Sequence, residues 1–288
     1  MIQEGTIDIG EIIMHHASDD YSIGLDGVFD NRLVLHWEKW PDLHLGGLTV
    51  NLTPTKHTIF MVLAAVLVFI TMKAAGRALA RQKSGAPKGF AAGVEGLVLW
   101  VRNDVAIANI GHNGARFAPF IMTLFFFILY MNLLGLFPWG ASPTANIAVT
   151  AALAILVFLV VEINGFIRLG PKGYLRTIFV DVGRGGPGGM ILSIAMAPIE
   201  LMGKFVKPFA LAVRLFGNLI AGHFVVLSLI GIVLLFGYLS GWNWAIGITT
   251  AALLIGIMAL ELFVASLQAY VFALLSATFI GMVQSEHH

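Results

Sequence analysis

The sequence contains no cysteine, which removes disulfides, thiol catalysis and thiolate metal sites from consideration. It is also poor in charge. Only 11% of its 288 residues are Asp, Glu, Lys or Arg, against about 25% in an ordinary soluble domain. A water-soluble globule of this length needs more polar surface, so a soluble enzyme is excluded and a polytopic membrane protein is expected. Neither sign of charge dominates, with 17 bases against 16 acids, which excludes a strongly basic nucleic-acid binder. The chain has no G-x-x-x-x-G-K-[ST] motif, so no P-loop nucleotide site is expected. Gly183-Arg-Gly-Gly-Pro-Gly188 matches G-x-G-x-x-G, but its proline and its basic surroundings make it a turn rather than a dinucleotide site. No basic n-region precedes an apolar h-region at the start of the chain, so no signal peptide is expected there. Internal repeats and low-complexity tracts are absent as well.

What the chain has in quantity is apolar sequence, 58% of its residues, with a mean hydropathy of +0.87. Three apolar runs, roughly 58–75, 117–139 and 145–167, are each near the ~20 residues that carry a helix across a bilayer core. Two more, about 190–238 and 244–283, exceed that length and must tilt, kink or lie partly in the interface. Pro198 and Pro208 permit breaks in the first of these; the second has no proline.

Charge sets the orientation. The first 56 residues hold nine acids (Glu4, Asp8, Glu11, Asp19, Asp20, Asp26, Asp30, Glu38 and Asp42) against Arg32, Lys39 and Lys56. Bases collect between the first and second runs (Lys73, Arg77, Arg81, Lys83, Lys88, Arg102, Arg116) and after the third (Arg168, Lys172, Arg176, Arg184). The positive-inside rule puts both basic stretches in the cytoplasm, the N-terminus outside and the C-terminus inside. The expected fold is therefore an all-α polytopic membrane protein with five crossings. Residues 1–56 form an acidic extracytoplasmic tail and 57–288 a single integral membrane domain. Residues 93–110, apolar on one face with Glu95, Arg102 and Asp104, read as an amphipathic helix at the cytoplasmic interface.

Ionisable groups at membrane depth are costly and mark function by default. In the fourth run Glu200, Lys204, Lys207, Leu211, Arg214 and Asn218 are spaced 4, 3, 4, 3 and 4, which puts them on one helical stripe. Glu200 and Lys204 also suit a plain i,i+4 ion pair, and the lysines can snorkel. Arg214 lies deeper among apolar residues and stays charged at any physiological pH, so it acts as a fixed cation and not as a proton relay. Its structural alternative is an ion pair with an acid on another helix. His223, nine residues on, faces the other way. In the last run Glu261 and Gln268 share a face, and His223 with Glu261 suits a proton-accepting pair or a single buried hydrogen bond. In the third run Asn146 sits near the outer end and Glu162 near the inner end, where Glu162 can also snorkel. A stand-alone secondary cation or proton transporter is the main competing class, although no inverted repeat is evident. A bis-His haem anchor would need a second membrane histidine, and a membrane hydrolase a Ser, His and Asp set.

Pro208-Phe-Ala-Leu-Ala-Val-Arg-Leu-Phe-Gly-Asn218, with Leu219-Ile-Ala-Gly222 following, resembles subunit a of the rotary F-type ATP synthase membrane sector. Leu267-Gln-Ala-Tyr-Val-Phe272 and Asn132-Leu-Leu-Gly-Leu-Phe-Pro138, the latter followed by Pro143-Thr-Ala-Asn146, are similar to the same family in order and spacing. The resemblance covers nearly the whole chain, the first 50 residues in character only. It implies an ion-conducting stator in a bacterial inner membrane. Two aqueous half-channels would lead the ion, H⁺ in preference to Na⁺, to and from the carboxylates of a c-subunit ring, with Arg214 between them. It implies peripheral-stalk b-type subunits and the rest of the synthase as further partners, with no cofactor and no resident metal. It also implies that the last two helices tilt steeply around the ring. Asn218 and Gln268 match polar residues flanking the arginine, and Glu200 matches an acid of the inner path. In some members the positions of His223 and Glu261 carry Glu and His, so here the pair is exchanged. Asn146 stands where relatives can have Asp, which leaves it hydrogen bonding to water rather than carrying protons.

Overall fold

A computed structural model describes residues 21–23, 35–45, 48–81, 89–111, 113–137, 140–179, 187–236 and 243–285. Most acids of the N-tail, together with Lys83, Lys88 and Arg184, lie outside the described residues.

The described part of the tail carries short strands. β1 (Ser22–Ile23) pairs antiparallel with β2 (Leu35–His36), and β3 (Leu43–Leu45) with β4 (Leu48–Val50). Side chains lash this region to the start of the first helix. Trp37 Nε1 donates to the Pro54 carbonyl at 2.8 Å, and the Trp40 backbone N–H to Thr53 Oγ1 at 2.7 Å.

The helices follow in chain order. They are α1 (Lys56–Arg81), α2 (Phe90–Trp100), α3 (Gly114–Gly135), α4 (Ile147–Arg176), α5 (Pro187–Phe236) and α6 (Asn243–Ser285). Five of them, all except α2, are long and apolar enough to cross a membrane. α1 and α4 run past their apolar stretches into the basic ones, so Lys73, Arg77, Arg81, Arg168, Lys172 and Arg176 are helical rather than in loops. Cations in the last turns oppose the negative end of the helix dipole, and long basic side chains reach the interface from there. α5 and α6, at 50 and 43 residues, are about 75 and 65 Å long at 1.5 Å per residue, far beyond a ~30 Å apolar core. Pro187 opens α5, where a missing N–H costs nothing. Pro198 and Pro208 permit breaks, but the helix continues through both. α2 leads into a π-helical turn (Val101–Ile107) and a last helical turn (Ala108–Ile110). Val94, Val101, Val105 and Ile110 are buried and Arg102, Asn103 and Asp104 exposed, but Glu95 is half-buried and Phe90, Leu97 and Leu99 are exposed with them, so the polar face is confined to the π-helical turn.

Two compact units result. One comprises residues 1–71, 127–146 and 216–268; the other 72–126, 147–215 and 269–288. The first has a partly polar interior. Asn132 Nδ2 donates to the Ala265 carbonyl at 3.0 Å, and Thr144 Oγ1 donates to Asn132 Oδ1 at 2.6 Å. Ser142 Oγ lies 2.8 Å from Thr144 Oγ1. All three side chains are buried, and the network satisfies groups that would be costly unpaired. In the second unit, Trp100 at the end of α2 stacks on Tyr270 of α6, with ring centroids 5.1 Å apart, and meets Phe125 of α3 edge-on. Buried Ala269, Ala273 and Ala277 recur every fourth residue on α6, the small-residue stripe that lets membrane helices approach closely. At Gly281 a Cβ would collide with the Asn109 carbonyl oxygen, so that contact requires glycine.

α4 is not one straight helix. Gly170 has φ 66° and ψ 171°, and Pro171 follows it. Glycine tolerates the positive φ, and a residue before proline avoids the helical region, so the chain breaks at 170 and restarts at 171. This break positions part of the candidate site.

Candidate functional site: two cavities and an exposed arginine

The second unit holds a cavity of about 200 Å³ lined by Glu162, Tyr174, Thr177, Glu200, Lys204 and Lys207 with apolar neighbours, including Leu211. Glu162 and Tyr174 are twelve residues apart, about 18 Å along a straight helix. The break at Gly170 brings them together, and the Tyr174 hydroxyl donates to Glu162 Oε2. Lys204 Nζ lies 3.5 Å from the same carboxylate oxygen and 3.0 Å from Thr177 Oγ1, and sits 4.3 Å from the Tyr174 ring centroid. The expected Glu200–Lys204 pair is thus replaced. Lys204 turns to α4, where a carboxylate, a hydroxyl and a ring face converge on it. Glu200 lines the cavity with no ion pair or hydrogen bond among the described residues. Lys207 extends over the Phe279 ring at 5.7 Å. The pocket's two carboxylates and two ammonium groups balance, which suits a hydrated exchange site rather than an anion trap.

The first unit holds a cavity of about 220 Å³ between α5 and α6, lined by Asn218, Gly222 and Glu261 among apolar side chains. Glu261 Oε1 is buried without a hydrogen-bond partner among the described residues. It fits because residue 222 has no side chain: a Cβ there would lie 2.7 Å from that oxygen. The backbone at His223 is helical, but its side chain lies outside the described residues, so the expected His223–Glu261 pair has no geometry here. Gln268 is half-buried on α6 and outside the cavity lining. Asn146, also half-buried, donates its backbone N–H to the Pro143 carbonyl at 3.1 Å just before α4 begins.

On α5 the lining of one cavity ends at Leu211 and that of the other begins at Asn218, with Arg214 between them in sequence. Leu211 is buried, yet Arg214 is exposed, beside exposed Phe209 and Val213. Arg214 makes no ion pair or hydrogen bond among the described residues, so no acid described in this chain serves as its counter-ion. Sequence reasoning missed Tyr174, Thr177 and Gly222. Gly170-Pro171 was the available signal for the first two, and the resemblance motif ending at Gly222 for the third.

Residues 58–281 match the family described as ATP synthase A chain. The chain is 40% identical over 274 residues to an ATP synthase subunit a 2 of Chlorobaculum tepidum, covering 95% of this chain and 72% of that one. To ATP synthase subunit a of Myxococcus xanthus it is 44% identical over 261 residues, covering 89% and 81%. To ATP synthase subunit a of Anaeromyxobacter dehalogenans it is 41% identical over 285 residues, covering 95% and 69%.

Proposed function

Since the chain belongs to the ATP synthase A chain family, we propose that it is the stator that carries protons to and from a rotating ring of carboxylates through two separate half-channels. It is an integral membrane protein of the membrane sector, serving ATP synthesis and ion transport in complex with the rest of the synthase. Family membership removes the ground for a stand-alone transporter.

The observation that carries the proposal is Arg214, an exposed guanidinium on an apolar helix face with no counter-ion among the described residues. A permanent charge at membrane depth is expensive unless paired, so its partner comes from another chain. A c-ring carboxylate fits. Arg214 attracts the ionised carboxylate, favours release of its proton, and blocks direct proton passage between the paths by repulsion. The outer path uses the cavity at Glu261, with His223, Asn218, Gln268 and Asn146 along it. The inner path uses the cavity at Glu200 and Glu162. A proton entering from outside neutralises a ring carboxylate. The ring turns, and the proton leaves to the inside when that carboxylate returns to Arg214. Peripheral-stalk b-type subunits hold the stator still. ATP chemistry belongs to the soluble head. The setting is a bacterial inner membrane with N-terminus outside, the tail of residues 1–56 extracytoplasmic, α2 at the cytoplasmic interface, and α5 and α6 tilted around the ring.

The test is Arg214→Ala in the assembled synthase. ATP-driven proton pumping into inverted vesicles falls to background, and so does ATP synthesis. Arg214→Lys falls nearly as far, because an ammonium lacks the planar fork of donors and loses its charge more readily. Full coupled synthesis in Arg214→Ala would end the proposal.

A further inference from the structure

The two carboxylates of the inner cavity are not equivalent. Glu162 is held by two groups, the Tyr174 hydroxyl and the Lys204 ammonium at 3.5 Å, and Lys204 in turn donates to the Thr177 hydroxyl at 3.0 Å. Glu200 is held by none among the described residues. Lys204 is also one helical turn from Glu200, at the i,i+4 spacing from which a lysine readily reaches a carboxylate. It has two possible partners, and the fold gives it the one on α4.

We infer that Lys204 is a positioning residue whose engagement by Glu162 keeps it away from Glu200, leaving Glu200 free to exchange protons. The inference rests on the inner-path reading above. Glu162 is then a static counter-ion and not a proton carrier. Glu200 accepts the proton released by a ring carboxylate and gives it to water on the inner side. If Glu162 is lost, Lys204 turns to its i,i+4 neighbour and holds Glu200 as a paired carboxylate. A carboxylate stabilised by an ammonium is a poorer proton acceptor. The break at Gly170 matters for the same reason, since it brings Tyr174 and Thr177 round to complete the grip on Lys204. Lys207, the remaining charged group of the cavity, lies over Phe279 and is not drawn into this exchange.

Passive proton conductance of inverted vesicles stripped of the soluble head, normalised to assembled complex, tests this. Glu162→Gln lowers conductance by about threefold or more, the scale of coupling between neighbouring side chains. Glu162→Gln/Lys204→Gln restores it to within about twofold of the unmodified protein, because no ammonium remains to capture Glu200. Lys204→Arg, which keeps the cation, stays near the unmodified rate. Glu162→Ala replaces Glu162→Gln if the latter assembles poorly. A double mutant as slow as Glu162→Gln overturns the inference, since Glu162 would then carry protons itself. Unchanged conductance in Glu162→Gln overturns it too. Glu200→Gln separates the levels: if it conducts normally, the inner-path reading fails, whereas slow Glu200→Gln with normal Glu162→Gln removes only the role of Lys204.

Discussion

At residue 222 the function proposed for the outer path depends on an atom that is missing. Alanine there would ordinarily strengthen a helix by about 1 kcal/mol over glycine. In this chain the added methyl would meet Glu261 Oε1 at 2.7 Å, and that oxygen belongs to a flexible side chain that can move aside. The carboxylate therefore shifts before the helix does. Gly222→Ala is expected to assemble normally and to lower proton flux severalfold, and Gly222→Val to lower it by about tenfold or more, since ångström-scale misplacement of a reacting group is costly. ATP-driven pumping per assembled complex measures both. Flux that ignores residue size at 222 would mean that the placement of Glu261 is not critical. Glu261 was legible in the sequence as an isolated acid in an apolar run. Its dependence on Gly222 was not, because the two are 39 positions apart and meet only when α5 and α6 pack.

At the scale of the element, α4 shows how local chemistry builds half a pocket. A glycine followed by proline, as at Gly170-Pro171, commonly ends a helix. The structure uses it as a break that is followed by more helix and brings Tyr174 back to Glu162. Nothing crowds the Cβ position of residue 170, so an alanine there fails for its backbone alone. With φ at +66°, Gly170→Ala is expected to cost about 1–3 kcal/mol. Relief of that strain pulls Tyr174 and Thr177 off Lys204, so conductance falls as in Glu162→Gln, and Lys204→Gln restores it. Lower thermal stability with unchanged conductance would show that the break is structural only. The five long helices were legible because each is an apolar run of membrane length bounded by charge or by turn residues. Their ends were less so, because apolarity stops before helical geometry does at Arg81 and Arg176. The partner of Lys204 was misread for a related reason. Glu200 stands at an ideal local spacing, while Glu162 lies 42 positions away on another helix.

For the whole molecule, a net charge of +1 hides a sorting of charge along the chain. Nine acids occupy the first 56 residues, and the bases gather at Lys73–Arg116 and Arg168–Arg184. If five helices cross the membrane in turn, these two basic stretches share one side and the acidic tail takes the other. The absence of cysteine turns this arrangement into a direct experiment, because any introduced thiol is the chain's only one. Asn51, Arg102 and Lys172 are all exposed. Asn51→Cys is expected to react with a membrane-impermeant maleimide in intact cells whose outer barrier has been opened. Arg102→Cys and Lys172→Cys should react only in inverted vesicles. Labelling read at the mass of this subunit excludes thiols of its partners. The pattern carries two independent conclusions. Reversal at all three sites would overturn the orientation while keeping the number of crossings. Arg102 and Lys172 on opposite faces would overturn the crossing pattern itself, since α3 and the apolar part of α4 that precedes its break at Gly170 lie between these residues, and an even number of crossings must return the chain to the same side. With both on the inside, the end of α4 that carries Tyr174 and Thr177 of the Glu162–Lys204 cavity is the cytoplasmic one, as the proposed inner path requires.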